Sequence, residues 1–344
     1  MLCCPECFGD EYIKLDFIPK RSTQTGTCSY CGSVNQPLIA PTDLREDFEL
    51  LIGIYVRQDD GGRPLVEWLK NDWSMFTHER MDAAHAKELL ADILDDGEIV
   101  RQLFAPSEKS KSDALQRWEK LKNELMHLNR FFPKTEINLE RLKEWVSWLV
   151  PKQTEIPERW FRARIQHSAQ PFSSVEMKAP PKQLASHGRA NPAGIPYLYL
   201  ASTALTAVCE IRPHTGEFVS VAGFRIPTNL RIADLRHPKK TISPFYLGDE
   251  NKISSLRGDI EFLEKLGDEL TRPVLPRSAA FDYIPSQYLC ESIKVSGYDG
   301  VMYRSSVGDG VNVALFQPDC AQVLDVIQHQ VSRVSVDIEQ SRFN

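Results

Sequence analysis

Between residues 42 and 150 apolar positions recur every three to four residues, the period of helices with one buried face. Leu44, Phe48, Leu51, Ile52 and Tyr55 fall on one face of a segment that Thr42 can cap and Gly61-Gly62 ends. A second helix opens at Pro64 with Leu65, Trp68 and Leu69, and a third runs from about Asp82 to Leu94. The stretch from Asp113 to Phe132 places Leu115, Trp118, Leu121, Leu125 and Leu128 at helical spacing, and Leu142, Trp145, Val146 and Leu149 mark a last helix from Leu139 to Val150. No strand period interrupts these segments. Residues 41–150 are therefore expected to form an all-α helical bundle with its tryptophans in the core.

The pattern changes at Val150-Pro151-Lys-Gln-Thr-Glu-Ile-Pro157, where two prolines stop the helix and favour an extended linker over 151–157. Beyond it, Trp160 to Ile165, Tyr197 to Ala201, Phe218 to Ile226, Leu230 to Asp234, Val301 to Tyr303 and Val311 to Phe316 read as short strands. Helices are expected near 202–210, with Ser202 as a possible cap, and near 255–270 and 286–296. This mixture predicts an α+β domain over residues 158–344.

Composition adds constraints. The 344 residues allow two domains and a small appendage at about 150 residues per domain. A formal net charge of −6 argues against a general nucleic-acid or anionic-membrane binder, and no apolar run approaches the ~20 residues of a membrane span. The N-terminus lacks a basic segment followed by an apolar stretch, so a cytoplasmic protein is expected.

Five of the eight cysteines lie in the first 31 residues. Cys4-Pro-Glu-Cys7 and Cys28-Ser-Tyr-Cys31-Gly32 are two knuckles whose spacing predicts a zinc ribbon over residues 1–40, with Cys3 as a spare thiol. Two-residue gaps let backbone amides turn toward both thiolates, and four thiolates close a tetrahedral shell. The expected Zn²⁺ is therefore structural.

The chemistry concentrates between residues 188 and 210. Arg189 lies in a loop broken by Gly188, Pro192 and Gly194, Tyr199 in a short apolar strand, and Glu210 in an apolar helix where its carboxylate requires a partner. A later strand, Gly300-Val-Met-Tyr-Arg-Ser305-Ser306, leads to Asn312 and Phe316. An Arg, a Tyr, a Glu and a Ser could thus converge at strand ends.

Trp160-Phe-Arg-Ala-Arg164, Gly188-Arg189-x-Asn191-x-x-Gly194, Tyr199-Leu-Ala, Glu210, Tyr298-Asp-Gly-Val-Met-Tyr-Arg-Ser305 and Asn312-x-x-Leu-Phe316 together resemble the RES domain, a family named for its Arg, Glu and Ser. The sequence departs from the pattern at Ala190, where many members have a large aromatic, and in a long insert from about 236 to 285. The resemblance implies a fold like that of ADP-ribosyltransferases, two abutting small sheets around a NAD-binding cleft. It implies NAD⁺ as substrate, cleavage of the nicotinamide-ribose bond with phosphate or water as acceptor, and a toxic or phage-defence role. Arg189, Tyr199, Glu210 and Ser305 would then be catalytic, and Arg162, Arg164, Asn191 and Asn312 would bind substrate; the family's Tyr-x-Ser selects Ser305 over Ser306. These types suit a dinucleotide: guanidinium forks for the diphosphate, an aromatic face for nicotinamide and a carboxylate for an oxocarbenium-like cation.

Transfer of ADP-ribose to a macromolecule is the alternative that shares fold and cofactor. The helical segment is similar to modules of the HEPN superfamily, and Arg80-Met-Asp-Ala-Ala-His85 fits the spacing of a HEPN ribonuclease motif, though residues five apart share a helix face poorly. An antitoxin or trigger protein and a homo-oligomer are the partners left open. Removing residues 1–150 is expected to alter regulation more than chemistry.

Overall fold

The computed structural model describes residues 1–275 and 277–335; residues 336–344 of the expected catalytic domain lie outside the described residues. A π-helical turn, Ile13–Phe17, runs into α1 (Ile18–Arg21). There follow β1 (Gln24–Gly26), β2 (Gln36–Leu38), α2 (Arg45–Ile52), β3 (Tyr55–Arg57), β4 (Arg63–Pro64), α3 (Leu65–Trp73), α4 (Ala83–Leu94), β5 (Leu103–Pro106), α5 (Ala114–His127) and α6 (Leu139–Trp148). The second half holds β6 (Trp160–Ile165), β7 (Leu198–Ala201), α7 (Ala204–Glu210), β8 (Phe218–Arg225), β9 (Ile232–Asp234), α8 (Pro238–Thr241), α9 (Glu250–Thr271), α10 (Ala279–Asp282), α11 (Ile284–Val295), β10 (Gly300–Arg304), β11 (Val311–Leu315) and β12 (Gln322–Gln330).

These elements divide into two compact units. The first comprises Met1–Leu121, Lys134–Asn138 and His237–Lys265. β1 and β2 pair antiparallel, and Cys3 bridges to Ile39. α4 starts where the Asp82 carboxylate accepts from the Ala84 and His85 amides, and it buries Ala86, Leu89, Leu90, Ile93 and Leu94. The helical expectation is corrected at one place: β3, β5 and β4 form a three-stranded sheet. Strands of two to four residues are too short to show a period of two, and Tyr55 belongs to β3, not to the preceding helix.

Part of the long insert belongs to this unit. Phe245 packs its ring 5.5 Å from Phe48 and 6.4 Å from Tyr12, and Phe262 lies 6.2 Å from Trp118. Arg257 Nε donates to Asp72 Oδ2 at 2.7 Å, and the same oxygen accepts from the Tyr55 hydroxyl at 2.8 Å.

The second unit comprises Lys122–Pro133, Leu139–Arg236 and Leu266–Asn344, within which a seven-stranded sheet runs β12-β8-β6-β7-β11-β10-β9. All pairings are antiparallel except β9 with β10. β6 shares six positions with β8 but only one with β7, Phe161 opposite Ala201. The sheet is thus two smaller sheets joined at one residue pair. Trp160, Leu198, Leu200, Phe224, Met302, Val313 and Leu315 fill the core on one face; Ala163, Ala201, Ala207, Val219 and Val221 pack on the other. β12 has no counterpart in the sequence reading. It is an edge strand with a bulge between Val323 and Asp325, so its apolar residues do not alternate cleanly.

Residues before 151 also complete the second unit: the Asp234 amide donates to the Leu149 carbonyl at 2.6 Å, and Lys122 pairs with buried Glu269 at 2.9 Å. This changes the expectation for a chain beginning at residue 151. Such a chain uncovers the buried insert residues Ile253, Leu256, Ile260, Phe262 and Leu263 and removes the Leu149 acceptor. It should bind a hydrophobic dye and melt without a sharp transition; a cooperative melt near that of the full chain would contradict this.

Candidate active site

At the junction of the two half-sheets lies a cleft of about 440 Å³, a size ordinary for small-molecule sites. β6 contributes Arg162, β7 Tyr199, α7 Glu210 and β11 Asn312, while Arg189 enters from the loop before β7.

Glu210 is positioned by the end of α7. That helix is capped by Thr203, whose Oγ1 accepts from the Thr206 amide at 3.0 Å, and not by Ser202, whose Oγ instead accepts from the Val311 amide at 2.9 Å and fastens β7 to β11. A carboxylate in the last turn of a helix faces the unfavourable end of the dipole. Here Ser305 Oγ donates to Glu210 Oε1 at 2.7 Å and Asn312 Nδ2 donates to the same oxygen at 2.6 Å. The carboxylate is exposed to solvent, and Oε2 has no hydrogen-bond partner among the described residues. Ser305 and Asn312, expected as a catalytic and a substrate-binding residue, thus both meet Glu210, while Ser306 lines the cleft wall.

The Arg189 loop is built around Asn191. Its Nδ2 donates to the carbonyls of Ser186, Pro192 and Ile195, and its Oδ1 accepts from the Tyr199 hydroxyl at 2.6 Å. That hydroxyl in turn accepts from the Ala190 amide at 2.9 Å, and burial pushes the Tyr199 phenol well above its ordinary pKa. Asn191 is buried behind the cleft and acts on the loop, with no position on the cleft wall. Arg189 Nη1 donates to the Arg272 carbonyl at 2.8 Å, and its guanidinium lies 5.3 Å over the Tyr283 ring.

The two strand arginines diverge. Arg162 lines the cleft with its Nη1 fully buried and unpartnered, and burial together with nearby Arg164 lowers its pKa to about 10. It stays protonated at neutral pH, a cation with no ion-pair partner among the described residues. Arg164 is held elsewhere, Nη1 on the Glu176 carbonyl at 2.6 Å and the guanidinium 4.1 Å over Phe172. The sequence reading also passed over several contributors. Ser286 Oγ holds the Arg189 carbonyl at 2.6 Å and Gln287 Nε2 the Gly188 carbonyl at 2.8 Å; both lie in the first turn of α11 with no motif around them, so nothing marked them. Tyr303 lay inside the Tyr-x-Ser pattern and also lines the cleft, as do His187 and Arg212.

Away from the cleft, the sulfurs of Cys4, Cys7, Cys28 and Cys31 lie within 4.8 Å of one another, all buried. The Cys4–Cys31 and Cys7–Cys28 pairs are each 3.4 Å apart. A zinc tetrahedron with Zn–S near 2.3 Å has edges of about 3.8 Å, so the four donors match the group in type and spacing. Cys3 is outside the cluster, its Sγ on the Ile39 carbonyl. Arg80 and His85 are held by different neighbours: His85 Nδ1 contacts Asp82 Oδ1 at 2.9 Å, while the Arg80 guanidinium covers the Cα of Gly32.

The family model of the RES domain matches residues 158–336, more than half of the chain. The chain belongs to the RES domain family. Among solved structures, the M. tuberculosis MbcT–MbcA toxin–antitoxin complex contains a chain similar to this one at 14% identity and a TM-score of 0.34, over 57% of this chain and 96% of that one. A likeness at that level carries no weight for activity or partners. No curated protein matches. The cleft, with Arg162, Arg189, Tyr199, Glu210 and Asn312, lies wholly within the RES domain, and no helix among the described residues is long and apolar enough to cross a membrane.

Within the RES domain, Gly188 is the tightest position in the loop. A Cβ there would stand 2.4 Å from Asn191 Oδ1 and 2.6 Å from the Tyr199 hydroxyl, whereas at Gly194 nothing lies within 4 Å and only φ of +84° opposes a side chain. Gly188→Ala should lower stability by about 1–3 kcal/mol in urea denaturation and Gly194→Ala by about 1 kcal/mol. Equal losses would show that the Tyr199–Asn191 packing is loose.

Proposed function

We propose that the RES domain is an NAD⁺-consuming enzyme that cleaves the nicotinamide-ribose bond, with phosphate or water as acceptor, and that it acts as a toxin or phage-defence effector. The observation that carries this reading is the Glu210 carboxylate, fixed by Ser305 and Asn312 in the cleft that also presents the unpartnered Arg162 guanidinium. Arg162 and Arg189 offer forks for the diphosphate, and Tyr199 and Tyr303 offer aromatic surface. Arg164 and Asn191 have supporting parts in this reading, since neither reaches the cleft wall.

In the reaction the C1″–N1 bond breaks with its electron pair passing to the ring nitrogen, so nicotinamide leaves neutral. The acceptor oxygen forms the new bond at C1″; when the acceptor is water, its proton passes to Glu210 or to solvent. The developing oxocarbenium charge is what the Glu210 carboxylate stabilises, its Oε2 being free to face substrate while Oε1 is held. An antitoxin or trigger protein is the partner this reading carries with it.

Glu210→Gln keeps the shape and removes the charge. It should retain NAD⁺ binding while nicotinamide release falls by ~100-fold or more, the scale of losing one electrostatic stabiliser. Incubation of pure protein with NAD⁺, with and without phosphate, identifies the acceptor from the products. A Glu210→Gln protein that folds and releases nicotinamide at the parent rate would remove the carboxylate from the mechanism.

We further propose one structural Zn²⁺ at Cys4, Cys7, Cys28 and Cys31, where it would tie the two knuckles together as part of folding. Metal analysis should find one equivalent in protein purified without chelator, and Cys28→Ser should lose it and lower the melting temperature. Full stability with no bound metal would sink the assignment.

A further inference from the structure

Two residues of the long insert hold the Arg189 guanidinium. The Arg272 carbonyl accepts from Nη1 at 2.8 Å, and the Tyr283 ring centre lies 5.3 Å away. Arg189 and Tyr283 both line the cleft, so where this carbonyl and this ring stand decides how the rest of the guanidinium fork points into it. Arg272 directly follows α9 and Tyr283 directly follows α10, and the chain between them turns a corner.

The Arg272 side chain ties that corner. Its Nε donates to Glu269 Oε2 at 3.0 Å, in the last turn of α9, and its Nη2 donates to the carbonyl of Asp282, the residue before Tyr283. One guanidinium thus fixes both contacts of Arg189. Glu269 is 2% exposed, and a carboxylate so buried is stable only with its charge and both oxygens met. Arg272 meets one oxygen; Lys122 Nζ donates to the other, Oε1, at 2.9 Å. Lys122 stands on α5, well before residue 158, where the RES match begins, and every residue of this chain of contacts lies in the second unit.

We propose that Lys122 and Glu269 are positioning residues for Arg189: a lysine outside the RES match sets, through Glu269 and Arg272, the orientation of an arginine in the RES cleft. The effect on substrate rests on the NAD⁺ reading, whereas the geometry does not. A fork fixed beforehand loses less rotamer freedom when it meets a phosphate, so a loosened Arg189 weakens binding even though its charge is intact. Without Lys122 the buried Glu269 has an unmet oxygen and is drawn toward water, and Arg272 moves with it.

The test uses the full chain as parent, Lys122→Met, Lys122→Arg and Glu269→Gln, and reads two things: the rate at which phenylglyoxal modifies Arg189, mapped by peptide mass, and the KM and kcat for NAD⁺. Arg189 should be modified about fivefold faster in Lys122→Met and Glu269→Gln, a local opening, while buried Arg162 keeps its parent rate and Lys122→Arg stays close to the parent. KM should rise about tenfold in the same two variants with kcat within about threefold, the split expected when binding is weakened and the chemistry is not. Should Lys122→Met fail to fold, Glu269→Gln, which keeps the shape of the side chain, carries both measurements. An unchanged Arg189 rate, or Arg162 and Arg189 rising together as in general loosening, would overturn the proposal. So would a freed Arg189 with an unchanged KM, which leaves the NAD⁺ reading standing. A parent that does not consume NAD⁺ removes that reading instead, and the modification rates alone then decide whether Lys122 positions Arg189.

Discussion

β6 and β7 meet at a single ladder position, Phe161 opposite Ala201, and the cleft exists because they meet nowhere else. A fully paired sheet would hold its strands about 4.8 Å apart along their length and leave no space between them. Here β6 pairs fully with β8 and β7 pairs fully with β11, so each half-sheet is satisfied on its far side and the two can part on the near side. Beside the divergence, Ser202 fastens β7 to β11 by accepting from the Val311 amide, and the Tyr199 hydroxyl holds the Arg189 loop by accepting from the Ala190 amide. Tyr199 thus both lines the cleft and secures the loop beside it.

The electrostatics of the cleft run against ordinary stability. Glu210 sits at the wrong end of a helix dipole, Arg162 is buried without a partner, and Arg212 occupies a backbone conformation that disfavours side chains. Each is a local loss, and the Asn191 hub offsets them by fixing the Arg189 loop through three carbonyls and the Tyr199 hydroxyl. Strain gathered in one cleft over a well-bonded frame is the pattern of a site prepared for its ligand.

Much of this was readable from residue order. Helical spacing located α3 to α6, apolar runs located β6 to β11, and the two CxxC knuckles named the four sulfurs that cluster. Motif spacing also named Arg189, Tyr199, Glu210 and Asn312, which line one cleft. What escaped did so for physical reasons. β3, β4 and β5 are shorter than one alternation can reveal, and β12 is bulged at an exposed edge. Arg162 and Arg164 look equivalent in sequence, and only the local acceptor, the Glu176 carbonyl, separates them. Ser286 and Gln287 act through contacts between distant segments, and Arg212 and His187 reach the cleft only through the fold, which no single-chain pattern encodes.

The insert His237–Lys265 is read late but belongs to the first unit. During synthesis, Phe48, Tyr12 and Trp118 leave the ribosome well over a hundred residues before Phe245 and Phe262 arrive to pack on them. At ~5–20 residues per second that is a wait on the order of 10 s, during which the N-terminal aromatics are open to chaperones and to one another. By the time the first unit can close, β6 to β9 have already been made, so the fold of the RES domain is under way before its N-terminal companion is complete.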